Sequence, residues 1–185
     1  MIAVYPAMVG PAVCDDIIAR GNELPLAEGP GPLYNNRKGV RYTDPSYRHV
    51  QCRWFIGPGH IPNLMHALFR MANAEWQYVV TTMDPVQFAT YERGDFFEWH
   101  SDFLMIKDMK EFRKVSVIVQ LSEPDAYEGG QLEFMGPDGE NWIPEGFKPR
   151  GSLCVFASRI SHRITPVKSG KRQSLITWMK GPPFR

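Results

Sequence analysis

From about residue 77 the chain breaks into short runs of β-branched and aromatic residues, and this pattern leaves few folds open to it. The runs are WQYVVT, VQFATYE, FFEWHSDF, KVSVIVQLS, QLEFM, SLCVFA, HRITPV and QSLITWM. Turn residues separate them. Many short strands bounded by Gly and Pro predict a β-sandwich or barrel. Upstream, CDDIIARGNEL (14–24) predicts a helix, with Asp15 and Asp16 suited to its positive N-terminal end. HVQCRWFI (49–56) reads as a strand. PNLMHALFRMANAEW (62–76) predicts a second helix, with Leu64, Met65, Leu68, Phe69 and Ala72 forming one apolar stripe and Pro62 near its start. The expected architecture is mainly β with flanking helices: a double-stranded β-helix (jelly-roll, cupin-like) core over 81–185. Residues 1–80 would supply helical support and a loop, and 1–185 would form a single domain.

At 185 residues such a chain can bury a full core without covalent staples. Its 21 basic and 20 acidic residues give a net charge of +1, so no global field draws it to nucleic acid or to a membrane. Cys14, Cys52 and Cys154 are odd in number, far apart and outside any CxxC, which argues against a disulfide framework and for a reducing compartment. The N-terminal MIAVYPAMVGP has no basic segment followed by a long apolar run, so neither a signal peptide nor a membrane span is expected, and a cytoplasmic location is. No GxGxxG, P-loop or HExxH pattern occurs.

One constellation carries chemistry. His100 and Asp102 stand as HSD, and His162 follows 60 positions later. Residues i and i+2 of a strand share a face, so His100 and Asp102 can converge on one ion, with His162 arriving from a neighbouring strand. Two imidazoles and a carboxylate leave open positions on an octahedral iron(II), whereas a structural zinc site is usually closed by four protein ligands. An HxD alone is a weak signal, and its plainer reading is a surface His beside a solvated Asp. Of the other histidines, His49, His60 and His66, none has a comparable partner in sequence, and His66 reads as a helix-surface residue.

Ten positions after His162 comes Arg172, in GKRQSLITWM. Alternation puts Arg172, Ser174, Ile176 and Trp178 on one face. An inward Arg demands a buried anion, and a carboxylate met by both guanidinium arms is the usual answer. The alternative is a solvated, outward Arg172 with Lys171 in the turn or pointing in.

The stretch from Val86 to Trp178 resembles the iron(II)- and 2-oxoglutarate-dependent oxygenases of the prolyl 4-hydroxylase type, and within them the bacterial and phage PKHD-type hydroxylases. The resembling blocks are VQFATYERGDFFEWHSDF, RKVSVIVQLSEPDAYEGGQLEF and KPRGSLCVFASRISHRITPVKSGKRQSLITW, in family order over about half the chain. The resemblance implies that His100, Asp102 and His162 are the catalytic iron ligands and that Arg172 binds the C5 carboxylate of 2-oxoglutarate. Tyr91 matches a tyrosine that hydrogen-bonds that cosubstrate, and Gln120 stands where relatives place a polar partner for it. Arg113 and Trp178 match positions near the substrate. The implied cofactors are Fe(II), 2-oxoglutarate and O2, with ascorbate as an optional reductant, and the implied products are succinate, CO2 and a hydroxylated substrate. Gly129 and Gly130 read as structural.

The resemblance also carries the substrate expectation, a prolyl residue of a peptide or protein. A small molecule, another side chain, or a jelly-roll binding module that lost its chemistry are the alternatives. A nucleic-acid demethylase would share the iron chemistry, and Arg37, Lys38, Arg41 and Arg48 form a modest basic cluster, but a solvated loop explains that cluster as simply. Phe96, Phe97, Trp99 and Trp178 could wall the site or be plain core. Glu98 and Ser101, taken as outward positions, are candidates for supporting the ligands. The loop from Gly29 to Tyr47 reads as a lid or as a connector.

Overall fold

The structure is a computed structural model and describes residues 1–27, 33–35, 40–42, 44–103 and 110–183. In chain order the elements are β1 (Ile2–Tyr5), α1 (Pro11–Glu23), β2 (Leu33–Asn35), β3 (Val40–Tyr42), β4 (Arg48–His49), β5 (Gln51–Phe55), α2 (His60–Trp76), β6 (Thr82–Met83), β7 (Val86–Tyr91) and β8 (Phe96–His100). There follow β9 (Phe112–Gln120), β10 (Tyr127–Gly129), β11 (Leu132–Met135), β12 (Asn141–Trp142), β13 (Leu153–Ala157), β14 (His162–Ile164), β15 (Val167–Gly170) and β16 (Arg172–Gly181).

Two antiparallel sheets face each other. The larger runs β1-β13-β9-β16-β7-β5, with β6 on the end of β16, and the smaller runs β12-β11-β14-β8-β4. The central strands of the larger sheet are buried on both faces because each face has its own cover. Outward, Phe88, Val117, Leu153 and Leu175 pack against Cys14 and Ile17 of α1 and Met65, Leu68 and Phe69 of α2. Inward, Ala89, Ile118, Cys154 and Phe156 pack against Leu132, Phe134 and Ile164 of the smaller sheet. Each fully buried Leu or Phe in these layers contributes about 1.5–3 kcal/mol. α1 can lie this close because Gly21 has no side chain: a Cβ there would fall 2.7 Å from the Phe88 ring.

The mainly-β jelly-roll expected from the strand runs is the observed fold. Three local readings are corrected. α1 starts at Pro11, which fits the first helical position where a missing N–H costs nothing. Asp15 and Asp16 therefore lie beyond the first turn: Asp16 pairs with Arg20 at 2.8 Å and Asp15 with Arg150. WQYVVT is not a strand, because α2 runs through Trp76 and ends on Gln77 in the left-handed conformation. The Asn73 side chain then clamps Tyr78, accepting from its N–H at 2.8 Å and donating to its carbonyl at 3.0 Å. HRITPV is two strands, β14 in the smaller sheet and β15 against β10, parted at Thr165 and Pro166. β1, β10 and β12 lie outside the runs singled out in the sequence. The loop from Gly29 to Tyr47 contains the β2–β3 ladder; Arg37, Lys38 and the side chain of Arg41 lie outside the described residues. No described helix is long and apolar enough to cross a membrane.

Candidate metal and cosubstrate site

His100 ends β8 and His162 begins β14, and the two are directly paired across the ladder. Asp102 follows two residues after His100. The three side chains offer ligand atoms that all lie within 4.8 Å of one another. Asp102 Oδ1 is 3.8 Å from His100 Nε2, and Oδ2 is 3.5 Å from His162 Nε2.

Both imidazoles are held by their other nitrogen. His100 Nδ1 donates to the Glu98 carbonyl at 2.7 Å and His162 Nδ1 to the Ile160 carbonyl at 3.0 Å. Each ring is thereby turned with an Nε2 lone pair toward the cluster, the arrangement that orients metal-binding histidines. Burial, with His162 adding to it, pushes the His100 pKa down to about 3, so the ring is neutral at ordinary pH. Burial alone would raise the Asp102 pKa, but His162, His100 and Arg113 together with the Ser116 hydroxyl hold it below the usual carboxylate range. Ser116 Oγ, on β9, donates to Asp102 Oδ2 at 2.7 Å and lies 2.9 Å from Ser158 Oγ. Two imidazoles and a carboxylate suit a divalent ion and leave room for other ligands.

Support from Glu98 and Ser101 takes a different form from side chains standing outward. Glu98 acts through its carbonyl. Ser101 Oγ donates to the Ser158 carbonyl at 2.9 Å, pinning the backbone between His100 and Asp102. Between Phe97 and His100 the pairing advances three residues on β8 against two on β14. This bulge breaks alternation and brings Phe97 to the His100 side, where the rings stack 3.5 Å apart at 15°. Phe97 is thus a wall of the site. Trp99 instead packs under the Arg163 guanidinium.

Arg172 faces inward, 2% exposed, opposite Tyr91 in the β16–β7 ladder. Lys171 points out and pairs with Glu92 at 3.0 Å. The guanidinium makes one long hydrogen bond, Nη1 to Ser174 Oγ at 3.4 Å, and Nη2 is buried with no partner among the described residues. It opens onto a cavity of about 510 Å³ whose walls include Gln120, Tyr127, Gly130, Leu132 and Phe147. Gly130 is more than a turn residue, since a Cβ there would sit 3.1 Å from Arg172 Cδ. Tyr91 is buried, and that burial raises its pKa to about 12 against the opposing pull of Arg48 and Arg172, so it stays a neutral phenol. Gln120 is fully buried; its Nε2 donates to the Tyr127 hydroxyl at 3.1 Å and its Oε1 has no partner. Tyr127 escaped the sequence reading, where YEGG registered only as a turn. Because its oxygen already accepts from Gln120, its own proton is free to go to an anion in the cavity.

At the other end of β16, Arg113 lies over the Trp178 ring at 3.7 Å and its Nε donates to Asp84 at 2.8 Å. Trp178 Nε1 is buried with no partner among the described residues, and Trp54 packs beside the ring. Arg172, Ser174, Ile176 and Trp178 therefore do share the inner face. His49 and His60 have carboxylate partners that the sequence did not reveal, Asp95 and Asp16. Neither joins the cluster, and His66 is exposed.

A jelly-roll with a His–Asp–His cluster on its smaller sheet and a buried, unmatched arginine on the inner face of the larger one is the framework of a non-haem iron oxygenase. Comparison with known proteins agrees. Residues 86–180 match the family model of the 2OG-Fe(II) oxygenase superfamily, and the chain belongs to that family. Membership brings Fe(II), 2-oxoglutarate and O2 as the cofactor set, and the donor set just described fits it. A PKHD-type hydroxylase of Shewanella oneidensis is 34% identical over 119 residues, 63% of this chain and 50% of that protein. One of Thermosynechococcus vestitus is 33% identical over 99 residues, 52% of this chain and 42% of its own. The chain thus spans about half the length of the curated relatives it matches. Among solved structures, a Pseudomonas putida prolyl-4-hydroxylase superposes with a TM-score of 0.73 at 22% identity, covering 98% of this chain and 93% of that one. The viral collagen prolyl hydroxylase from Paramecium Bursaria Chlorella virus-1 gives 0.70 at 20%, covering 97% and 96%. At these identities the likeness is one of fold.

Proposed function

We propose that the chain is an Fe(II)- and 2-oxoglutarate-dependent dioxygenase that hydroxylates an unactivated C–H bond, with a prolyl residue of a peptide or protein as substrate and succinate and CO2 as coproducts. The observation that carries this reading is the buried guanidinium of Arg172, which has no counter-ion among the described residues and lies on the inner face of the larger sheet, opposite the smaller sheet that carries His100 and His162. A permanently charged group left unpaired in that setting is costly unless an anion arrives.

The strand register supplies the scale. Arg172 reaches Ser174, which pairs with Gln120, while Asp102 is held by Ser116, which pairs with Trp178. Those two levels are four residues apart, roughly 13 Å at about 3.3 Å per residue. A metal ion on Asp102 and the hydrogen bonds of the guanidinium would take up part of that gap, and a short dicarboxylate, anionic at each end, would bridge the rest.

In this reading His100, Asp102 and His162 hold the iron, Arg172 and Tyr127 hold the remote carboxylate, and Tyr91 and Gln120 line the channel between them. Bound iron and 2-oxoglutarate supply the oxidising chemistry by reductive activation of O2. The protein's part is to fix the imidazoles through the Glu98 and Ile160 carbonyls, to orient Asp102 through the Ser116 hydroxyl, and to exclude water with Phe97, Ile118 and Ile176. Arg113 and Trp178 border the opposite end of the chamber, where the substrate would approach. The prolyl assignment is supported by structural neighbours described as prolyl hydroxylases, one of them, from Trichoplax adhaerens, in complex with a hypoxia inducible factor peptide fragment.

Anaerobic titration of the apoprotein with Fe(II) and 2-oxoglutarate tests the cosubstrate site. A weak visible charge-transfer band that needs both components and vanishes in His100→Ala is expected. A folded, iron-loaded protein without that band would overturn the reading. With O2 admitted, proline-containing peptides should gain the mass of one oxygen atom, about 16 Da.

A further inference from the structure

Arg48 is a second guanidinium close to the metal-ligand cluster, and among the described residues it has no counter-ion. It stands on β4, half-buried, beside the inner faces of β5 and β7. Its Cζ lies 4.5 Å over the Phe97 ring. His100 is stacked 3.5 Å from that same ring, which leaves the guanidinium the other face. Nη2 has only two long contacts, Cys52 Sγ at 3.5 Å and Gln87 Oε1 at 3.4 Å, and Nε is buried with no partner. Among the described residues no carboxylate pairs with it.

Charge counting separates Arg48 from the other cations of the chamber. With iron(II) and a dicarboxylate bound, Asp102 and Arg172 bring the centre to neutrality. Arg113 and Lys180 both pair with Asp84, and Glu111 lies close enough to Lys180 to supply the second negative charge. Arg48 is left over. A partly buried cation with unused donors costs stability unless a ligand supplies the anion, and a carboxylate meets a guanidinium with two charge-assisted hydrogen bonds. Stacking on Phe97 accounts for the position of the guanidinium but leaves its donors unused.

We infer that Arg48 is a substrate-binding residue that selects substrates carrying a carboxylate a few bonds from the carbon to be oxidised. This rests on the oxygenase reading and deepens it. The carboxylate sits beyond Phe97, with Gln87 beside it. Trp178 Nε1, on the next rung of the inner face, is a free donor for a neutral carbonyl of the same substrate. The carboxylate has two sources, the C-terminus of a chain or an acidic residue next to the target.

The test uses the whole chain loaded with Zn(II) and 2-oxoglutarate, and follows arginine side-chain Nε–H resonances by NMR, with Arg48 assigned by its loss in Arg48→Lys. The probes are N-acetyl-L-proline against N-acetyl-L-prolinamide, and N-acetyl-prolyl-aspartate amide against its asparagine counterpart. The carboxylate member of at least one pair should shift Arg48 saturably, with affinity on the order of tenfold above its amide, while exposed Arg70 responds only linearly. Saturation in the first pair identifies a C-terminal residue and in the second an acidic segment. No saturable shift with either carboxylate, or equal shifts with the amides, overturns the inference. The Arg172 resonance reports separately: if it does not move when 2-oxoglutarate is added, the oxygenase reading itself fails, whereas a responsive Arg172 beside a silent Arg48 removes only the role of Arg48.

Discussion

Replacing Arg172 by methionine should move stability and cosubstrate affinity in opposite directions. In the ligand-free protein the guanidinium is 2% exposed, holds one hydrogen bond of 3.4 Å and leaves Nη2 unpaired. An unsatisfied buried polar group costs about 1–3 kcal/mol, more when charged, and replacing a buried ion by an apolar side chain of similar length is often stabilising. Methionine fills the channel past Gly130 without a charge. The apoprotein should therefore gain about 1–3 kcal/mol, seen as a Tm higher by roughly 2–10 °C for a chain of this size. Binding of 2-oxoglutarate should lose about 2–5 kcal/mol, roughly thirty-fold to several-thousand-fold in Kd. Metal affinity should stay near that of the parent, because Arg172 touches none of the three ligands. Urea or thermal denaturation of the apoprotein gives the first quantity, and anaerobic titration of the iron-loaded protein with 2-oxoglutarate gives the second. An apoprotein destabilised by more than about 1 kcal/mol would mean that the guanidinium already has a counter-ion, and an unchanged Kd would mean that it does not meet the cosubstrate. Either result refutes the reasoning.

Two further outcomes are expected. Ser116→Ala removes the hydroxyl that donates to Asp102 Oδ2 at 2.7 Å, so divalent-metal affinity should fall about 10–100-fold while the fold survives; chelator competition measures this, and parental affinity would remove Ser116 from the support of the site. Tyr91 is neutral in the fold until about pH 12 but ionises near 10 when unfolded, so the unfolded state loses its proton first and stability declines as pH rises from 10 to 12. The loss amounts to about 2.7 kcal/mol for two pKa units; Tyr91→Phe should flatten the denaturation profile over that window by this amount, and identical profiles for the two proteins would contradict the burial argument.

Much of the site was legible because its spacing is local. His100 and Asp102 share a face through the period of two, and the same period put Arg172 in line with Ser174, Ile176 and Trp178. The stripe from Leu64 to Ala72 marked α2 for the same kind of reason. Other features depend on which strands meet and in what register. The bulge that turns Phe97 onto His100 exists only in the β8–β14 ladder, and Ser116 reaches Asp102 because β9 carries it beneath the site. Tyr127 joins the cavity at Arg172 through its bond to Gln120, seven residues away along the chain and on a different strand. Asp84 could not be assigned to Arg113 across 29 residues of sequence.

By itself the sequence determined the strand-rich class, the two helices, the identity of the clustered donors and the candidacy of Arg172 as an anion-binding residue. The tertiary structure decided that, among the described residues, neither Arg172 nor Arg48 has a counter-ion, and that both imidazoles are turned by carbonyls. The physical reason is that periodicity is a property of neighbouring residues, whereas desolvation and charge pairing depend on every atom the fold brings close, however distant along the chain.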